Sequence, residues 1–554
     1  MKNNILDKIK ARIPYAILIL IIILPWFLKP GYLFFTDMSA GPHIIIPKFT
    51  DSGFFYYHSI VKILSYVLPV DLIQKLFFAV IFGLVLFGGH RIARGLTQNK
   101  ALLFLGSAFA LFNPFIYDRL MYGQIGVILG YGFFLAFFGY LLSFYFSKLK
   151  KQFFLSSVFA GLAVLFSPHF LFFVGLFYFV FGFLIFTKNW KDKTELLKIA
   201  KYFALSIIII VAINFNWLLG VIIGDSQMER SINETITAQD LEAFKTAGGT
   251  DMRVIENVFL MSGFWGAEQF RYEPLQNIKE NWGRSFYFLL PIIILGLIYN
   301  FKDKSKRGLN IGLILLYFAA FILALGIALP SASKITIWLF NNVPFYKGLR
   351  EPQKWVVALV AIYEVLLICG LNQLLKRNIV IKNKGLLTAL LTFIILLQAP
   401  LMVWGGAGQI KPANYPRDWY EVNEFVTKEI NCKTKILFLP WHSYMNFNWT
   451  GKIIANPAPK FFNCPVIYGQ NMEFGRIFGH SADLNEREVE KWVLNVGRTN
   501  LLEENKLNIG YIILAKEVDW QNYLWLDNHP NVEFVKETDN LRVYKTKKYE
   551  AQEN

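Results

Sequence analysis

Histidine, cysteine and charge are what this chain has least of. Seven histidines and three cysteines in 554 residues exclude a disulfide scaffold, and no two cysteines stand at metal-ligand spacing. Charged residues make up 17% of the chain against 55% hydrophobic, too little polar surface for a soluble multidomain protein. Acidic residues are scarcer than basic ones, 39 against 56, which leaves a net charge of +17. That surplus does not mark a nucleic-acid binder, because the lysines and arginines lie in short clusters between apolar runs, with no basic helix and no stacking platform. Phosphate loops, dinucleotide fingerprints, His-Glu-x-x-His and Gly-x-Ser-x-Gly are also missing, so use of a nucleotide sugar at a cytoplasmic face has no support.

Long apolar runs are what the chain has. About eleven stretches, at 14–28, 70–88, 101–117, 124–147, 153–168, 170–187, 202–223, 285–300, 308–330, 355–371 and 385–404, approach the length that crosses ~30 Å of hydrocarbon. The fifth and sixth are short enough to form a hairpin about Ser167-Pro168-His169 instead of two crossings. The first follows Lys2, Lys8, Lys10 and Arg12 and has no small-residue cleavage site after it, so it reads as a signal anchor. The sequence therefore predicts a polytopic α-helical membrane domain over 1–404, with long external loops at 29–69, 224–284 and 331–354.

Lysine and arginine set its orientation. The segments between runs that would face the cytoplasm hold 23 Lys and Arg in 64 residues, and the external segments up to Lys354 hold 14 in about twice that length, which puts the N-terminus in the cytoplasm. With eleven crossings the C-terminal part lies outside. That part, 405–554, has no apolar span and reads as a soluble α/β or α+β domain. Residues 418–430 and 483–496 read as helices, the second with Asp483 as N-cap, 435–440 and 509–514 as buried strands, and 532–536 with 541–545 as a terminal hairpin. Cys432 and Cys464 both fall in it, either bridged or as two buried thiols. Asn233-Glu-Thr and Asn448-Trp-Thr are glycosylation sequons on the external side.

The external loops concentrate the chemistry. Asp37, in Phe34-Phe35-Thr36-Asp37-Met38-Ser39, is an acid just beyond the first span. It reads either as a loop or capping carboxylate or as a general base for an acceptor hydroxyl. Asp51 is the second candidate base. The stretch from His58 to Leu68 is amphipathic and suited to the interface plane. The second external turn, Asn113 to Gln124, carries Asp118, Arg119, Tyr122 and Gln124, and Asp118 reads as the ion-pair partner of Arg119. Further on stand His169, Asn214 and Trp217, then Arg350, Glu351 and Lys354 entering the tenth run. Arginine and lysine at headgroup depth either hold a phosphate or snorkel. Glu364, inside that run, is either functional or protonated and hydrogen-bonded. His442, with Trp441 to Tyr444 and Asn448-Trp449, either faces the site from the C-terminal domain or packs as an aromatic loop.

The layout, with the phrases Asn113-Pro114-Phe115 and Tyr122-Gly123-Gln124, Ser167-Pro168-His169, and Leu349-Arg350-Glu351-Pro352-Gln353-Lys354, resembles the GT-C class of integral-membrane glycosyltransferases. Within that class it is similar to poorly characterised prokaryotic multispan members. The resemblance implies that Asp37 matches the catalytic carboxylate of the first external loop and that the donor is a sugar on a polyprenyl phosphate. It implies that Arg350 or Arg119 holds the donor phosphate, with Lys354 and His169 beside them. Tyr122, Gln124, Asn214, Trp217, Glu351 and His442 would then contact substrate. Many members carry an adjacent acidic pair where this chain has Asp37 alone, so no cofactor is demanded and a divalent metal is left open. The Trp-Trp-Asp signature of oligosaccharyltransferases is absent, which favours a glycan, lipid or other hydroxyl acceptor over protein asparagine. A multispan transporter or flippase, or a cell-envelope assembly protein, is the alternative; polar residues at the external mouth, with no matched broken helices, favour the transferase.

Overall fold

The computed structural model describes residues 10–224, 236–278, 283–376, 384–474, 477–481, 483–504 and 506–547. The first helix, α1 (Ile13–Phe27), leads into the 29–69 loop, which carries α2 (Phe54–Leu64). There follow α3 (Val70–Arg94), α4 (Lys100–Leu111), α5 (Pro114–Tyr122), α6 (Ile125–Ser147), α7 (Lys150–Phe166), α8 (Phe170–Asn189), α9 (Lys193–Ile213) and α10 (Phe215–Ile222). The second half holds α11 (Asp251–Phe259), α12 (Arg284–Lys302), α13 (Arg307–Leu325), α14 (Pro330–Asn342), α15 (Val356–Lys376) and α16 (Lys384–Leu396).

Each of the eleven apolar runs falls on helix, but the number of crossings that length and hydropathy support is smaller. Among the described residues seven helices are long and apolar enough to span a membrane, or nine if each of two bent pairs counts as one span. The difference has identifiable causes: α1 is 15 residues long, α7 is 17, and two runs are broken. The third run breaks between α4 and α5, which meet at 44°, because Pro114 supplies no backbone N–H and Asn113 caps the new helix by accepting from the Ile116 amide. Residues 113–122, expected as a polar turn, are thus a helix, and it is buried throughout. The 331–354 loop likewise contains a helix, α14. The Asn233 sequon lies outside the described residues.

Helices α6 and α15 are buried almost end to end and form the centre of the bundle. Backbone contact between α3 and α6 depends on small residues: a side chain at Gly139 would meet the Arg91 carbonyl carbon at 2.5 Å.

The C-terminal domain begins with α17 (Arg417–Ile430) and later carries α18 (Leu484–Leu494). Its main sheet contains β1 (Lys435–Leu439), β4 (Val466–Ile467), β7 (Ile509–Ala515), β8 (Val532–Glu537) and β9 (Leu541–Thr546) in the order β4-β1-β7-β9-β8; β2 (Tyr444–Phe447) with β3 (Lys452–Ala455), and β5 (Met472–Phe474) with β6 (Ile477–Gly479), form two small hairpins. Strands β4, β1 and β7 run parallel, and β9 and β8 close the sheet antiparallel. Strand periodicity sorts the layers. Ile436 and Phe438 face Trp419, Val422 and Val426 of α17, and Leu437 and Leu439 face Val489 and Trp492 of α18. Asp483 caps α18 by accepting from the Asn485 amide. Cys432 and Cys464 are paired as a disulfide, Cα to Cα 4.8 Å.

The 29–69 loop is built into this domain. Phe34 is fully buried in the α17-side core, its ring 5.0 Å from that of Trp449, a burial worth roughly 2 kcal/mol. The Ala455 amide donates to the Thr36 carbonyl at 2.8 Å, and Tyr32 pairs with Ala413 as an isolated antiparallel bridge. Lys460 donates Nζ to the Ser39 carbonyl at 2.7 Å. Asp37 is therefore held between the membrane bundle and the C-terminal domain.

Candidate active site

Asp37 occupies a tight turn in which Phe35 and Met38 pair across it. Its own amide donates to the Tyr122 carbonyl at 2.8 Å. Gly123 makes this approach feasible: it ends α5 with φ +84, and a side chain there would lie 2.5 Å from Phe35 Cβ. The same turn sends Gln124 back toward the loop. Asp37 Oδ2 accepts from Gln124 Nε2 at 3.2 Å, and Oδ1 accepts from the Tyr444 hydroxyl at 3.3 Å. The Arg271 guanidinium lies over the rings of Tyr122 and Tyr444, at 5.9 and 5.4 Å. Burial pushes the Asp37 carboxyl up to about 6, opposed by the Gln124 hydrogen bond and the Arg271 charge and assisted by Glu351. The Asp37 charge and burial together hold the Tyr444 hydroxyl well above the usual tyrosine range, so it remains a donor.

From Gln124 the polar contacts continue inward. Gln124 Oε1 accepts from Arg119 Nη1, and the same nitrogen donates to Glu351 Oε2 at 2.6 Å. Arg119 Nη2 donates to Gln353. The guanidinium is fully buried and stacks on Phe264 at 4.2 Å. Glu351 also accepts from Trp265 Nε1 at 3.0 Å and pairs with Lys354 Nζ at 2.9 Å. Burial alone would raise Glu351, yet Lys354, Arg119 and Arg350 hold it well below the usual carboxylate range. Lys354 Nζ reaches His169 Nε2 at 3.2 Å. Burial and the Lys354 charge keep that imidazole well below its ordinary range, and its Nδ1 meets Ser167 Oγ at 3.0 Å. One chain of contacts thus runs from Tyr444 through Asp37, Gln124, Arg119, Glu351 and Lys354 to His169.

Charge along this chain does not cancel. Arg119, Arg271, Arg350 and Lys354 face the carboxylates Asp37 and Glu351. Arg119 and Lys354 share Glu351, whereas Arg350 is half-buried over Phe244 at 5.1 Å, with its Nε buried and without a hydrogen-bond partner. Among the described residues Arg350 makes no ion pair. The arrangement is suited to a further anion beside Arg350 and to a proton acceptor at Asp37.

Other sequence candidates fall around this core or away from it. Asp51 lines a cavity of about 230 Å³ together with Gln124, His169 and Trp217, and its buried Oδ1 has no hydrogen-bond partner. Tyr122 is buried against Phe264 and Trp265. Asn214 is buried at the α9–α10 junction, where Nδ2 donates to the Gly161 carbonyl at 3.0 Å and Oδ1 accepts from Trp217 Nε1 at 2.7 Å. His442 Nε2 pairs with Asp519 at 3.2 Å within the C-terminal domain. Asp118 does not pair with Arg119. Consecutive helical side chains diverge by ~100°, so Asp118 instead accepts from the Tyr272 hydroxyl at 2.8 Å. Glu364 is fully buried in α15, and neither carboxyl oxygen has a hydrogen-bond partner.

Sequence reasoning missed Arg271, Trp265 and Gln353. Trp265 opens a five-residue 3-10 helix and Arg271 follows it, too short a stretch for periodicity to mark either, and Gln353 differs from its neighbours only in lacking charge. Among the described residues no three His, Cys, Asp or Glu side chains converge as metal ligands.

No protein-family model matches the chain, and no curated protein matches it in sequence. Its fold resembles that of a glycosyltransferase of known structure. The arabinofuranosyltransferase AftD from mycobacteria superposes with a TM-score of 0.57 at 13% identity, over 97% of this chain and 40% of the AftD chain. A mutant form of AftD gives 0.58 over 97% of this chain and 41% of its own. The chain thus spans about two fifths of the AftD chains it matches. The oligosaccharyltransferase AglB from Archaeoglobus fulgidus, in complex with an inhibitory peptide and a dolichol-phosphate, aligns more loosely, with a TM-score of 0.44 at 14% identity over 90% of this chain and 65% of that one.

Proposed function

We propose that this protein is a membrane glycosyltransferase that moves a sugar from a polyprenyl-phosphate donor to a hydroxyl acceptor, a glycan or a lipid, at the extracytoplasmic face. The observation that carries this reading is the continuous contact of Asp37, through Gln124, with a cluster in which cations outnumber carboxylates.

In the proposed reaction the donor enters sideways from the outer leaflet and its phosphate lies beside Arg350, the cation least engaged by protein carboxylates. Lys354 and His169 stand behind it. The acceptor hydroxyl approaches Asp37 from the aqueous side, beneath Tyr444. Its oxygen attacks the anomeric carbon, the bond from that carbon to the phosphate oxygen breaks, and Asp37 takes the hydroxyl proton. Polyprenyl phosphate leaves with the electron pair. One displacement inverts the anomeric configuration. Stabilising the charge on the leaving phosphate contributes more to the rate than the proton transfer does. A base that titrates near 6 is ionised at neutral pH yet close enough to it to accept a proton efficiently. Arg119, fully buried on Glu351, serves as a positioning residue for Gln124.

The test is donor turnover by purified protein in vesicles supplied with a panel of polyprenyl-phosphate sugars. Release of polyprenyl phosphate by wild type, lost in Asp37→Asn and reduced in Arg350→Ala, is the expected result. Equal release by wild type and Asp37→Asn would overturn the assignment of the base.

A further inference from the structure

A large groove lies at the other end of the bundle from Asp37. Helix α3 fixes this relation. Near its start Gln74 binds the Leu33 amide of the Asp37 loop at 2.9 Å. Toward its end, ~25–30 Å from Gln74 at 1.5 Å per residue, stand Arg91 and Arg94 of a groove of about 1340 Å³. The groove lies among α1, α3 and α4. Its wall is largely apolar, with Ile19, Gly83, Leu86, Leu103 and Phe104 along it, and its rim carries Arg12, Arg91, Arg94 and Lys100. Among the described residues no acidic side chain lines it.

Isolated lysines and arginines at helix ends snorkel to water and need no ligand. Arg91 does not behave in this way. It is half-buried, stacked on Tyr140 at 4.0 Å, with only a 3.4 Å contact from Nη2 to Gln152, and its Nε is buried without a hydrogen-bond partner. Among the described residues none of the four rim cations has an ion-pair partner. Beside the rim the Tyr15 hydroxyl meets His90 Nδ1 at 3.2 Å, which adds polar groups at headgroup depth. An apolar trough topped by four cations with no ion-pair partner among the described residues has the charge and shape of one ligand chemistry, a phosphate headgroup on acyl chains.

We infer that this groove is a binding site for an anionic phospholipid of the leaflet on that side, the cytoplasmic one by the Lys and Arg distribution. The headgroup phosphate sits against Arg91 and Arg94, with Arg12 and Lys100 closing over it, and an acyl chain fills the trough beside Gly83. Basic pockets between membrane helices on the cytoplasmic side recognise anionic headgroups by the same physics. The site is separate from the proposed transfer chemistry and stands or falls independently of it.

The experiment uses the full-length protein in nanodiscs made from phosphatidylcholine with phosphatidylglycerol of the same chains, followed by gentle delipidation and native mass spectrometry. Wild type is expected to retain one phosphatidylglycerol at least about tenfold over phosphatidylcholine, as several cations at headgroup depth imply. Arg91→Gln/Arg94→Gln should lose that preference. Gly83→Phe keeps every charge but fills the trough, where a Cβ meets only Ile19 Cδ1 at 4.0 Å, and it should lose retention too. Equal retention of the two lipids by wild type, or an unchanged preference in either folded variant, would overturn the proposal.

Discussion

Tyr444 donates its hydroxyl to Asp37 at 3.3 Å across 407 positions of sequence, so the C-terminal domain supplies part of the environment of the acid in the 29–69 loop. A hydrogen bond to the ionised carboxylate favours that form. Tyr444→Phe should therefore raise Asp37 above about 6 and move the rising limb of the pH–rate profile to higher pH. A rise of about one unit would lower the ionised fraction at pH 7, and turnover with it, by about twofold, and assays from pH 5 to 8 check both effects.

The titration of Asp37 also fixes a sign for stability. Its folded pKa, about 6, lies above the ordinary 3.8 chiefly because of burial. Between those values the folded protein binds more protons than the unfolded chain, so this group's contribution to stability is greatest below 3.8 and is lost as pH rises through 6. Activity runs the other way, because a base must be ionised. Asp37→Asn should abolish turnover at every pH while matching or exceeding the wild-type melting temperature at pH 8, a combination that a structural role for Asp37 would not give.

Glu351 neutralises two buried cations, Arg119 at 2.6 Å and Lys354 at 2.9 Å. Glu351→Gln leaves both without their counter-charge, which should cost about 3 kcal/mol or more. Adding Arg119→Met to that variant should restore part of the loss. The expected coupling of about 1 kcal/mol or more is measurable as non-additive shifts in thermal unfolding.

Arg350 is free of this shared pairing, so its removal should affect binding more than stability. Arg350→Ala is expected to lower kcat/KM for the lipid donor by about tenfold to a hundredfold, the range of one charge-assisted phosphate contact. Arg350→Lys should recover part of that. Neither should move the melting temperature by more than a few degrees, as side-by-side kinetics and thermal unfolding would reveal.

Glu364 separates transfer chemistry from proton-coupled transport. A transporter using this midspan acid would fail when it is made neutral. For a transferase with its base at Asp37, Glu364→Gln should retain wild-type donor turnover within about twofold. The variant should be as stable or more so, because the carboxyl sits fully buried with no hydrogen-bond partner and is costly to ionise there.

Local signals in the sequence located most of the fold. Apolar runs and strand alternation are properties of neighbouring residues, so the helices and the strands at 435–439 and 509–515 fall where they were expected. Asp37 was visible because an acid in an aromatic loop beside a membrane span is conspicuous. Its surroundings were not, since they depend on distant partners: Arg119 meets Glu351 across 232 positions. Sequence adjacency was misleading at Asp118 and Arg119, because helix geometry turns the two side chains toward different neighbours. The break at Asn113-Pro114 was legible as polar, but only packing shows that α5 buries those polar groups beside the loop.

Whether Asp37 is the base of a lipid-linked sugar transfer is tested most directly by the lipid-linked and surface glycan profile of a deletion strain complemented with wild type or with Asp37→Asn at matched membrane levels. Wild type is expected to restore a missing sugar, while the Asn variant leaves its polyprenyl-phosphate donor accumulating. A deletion that changes no glycan, or an Asn variant that restores the profile as well as wild type does, would contradict that role.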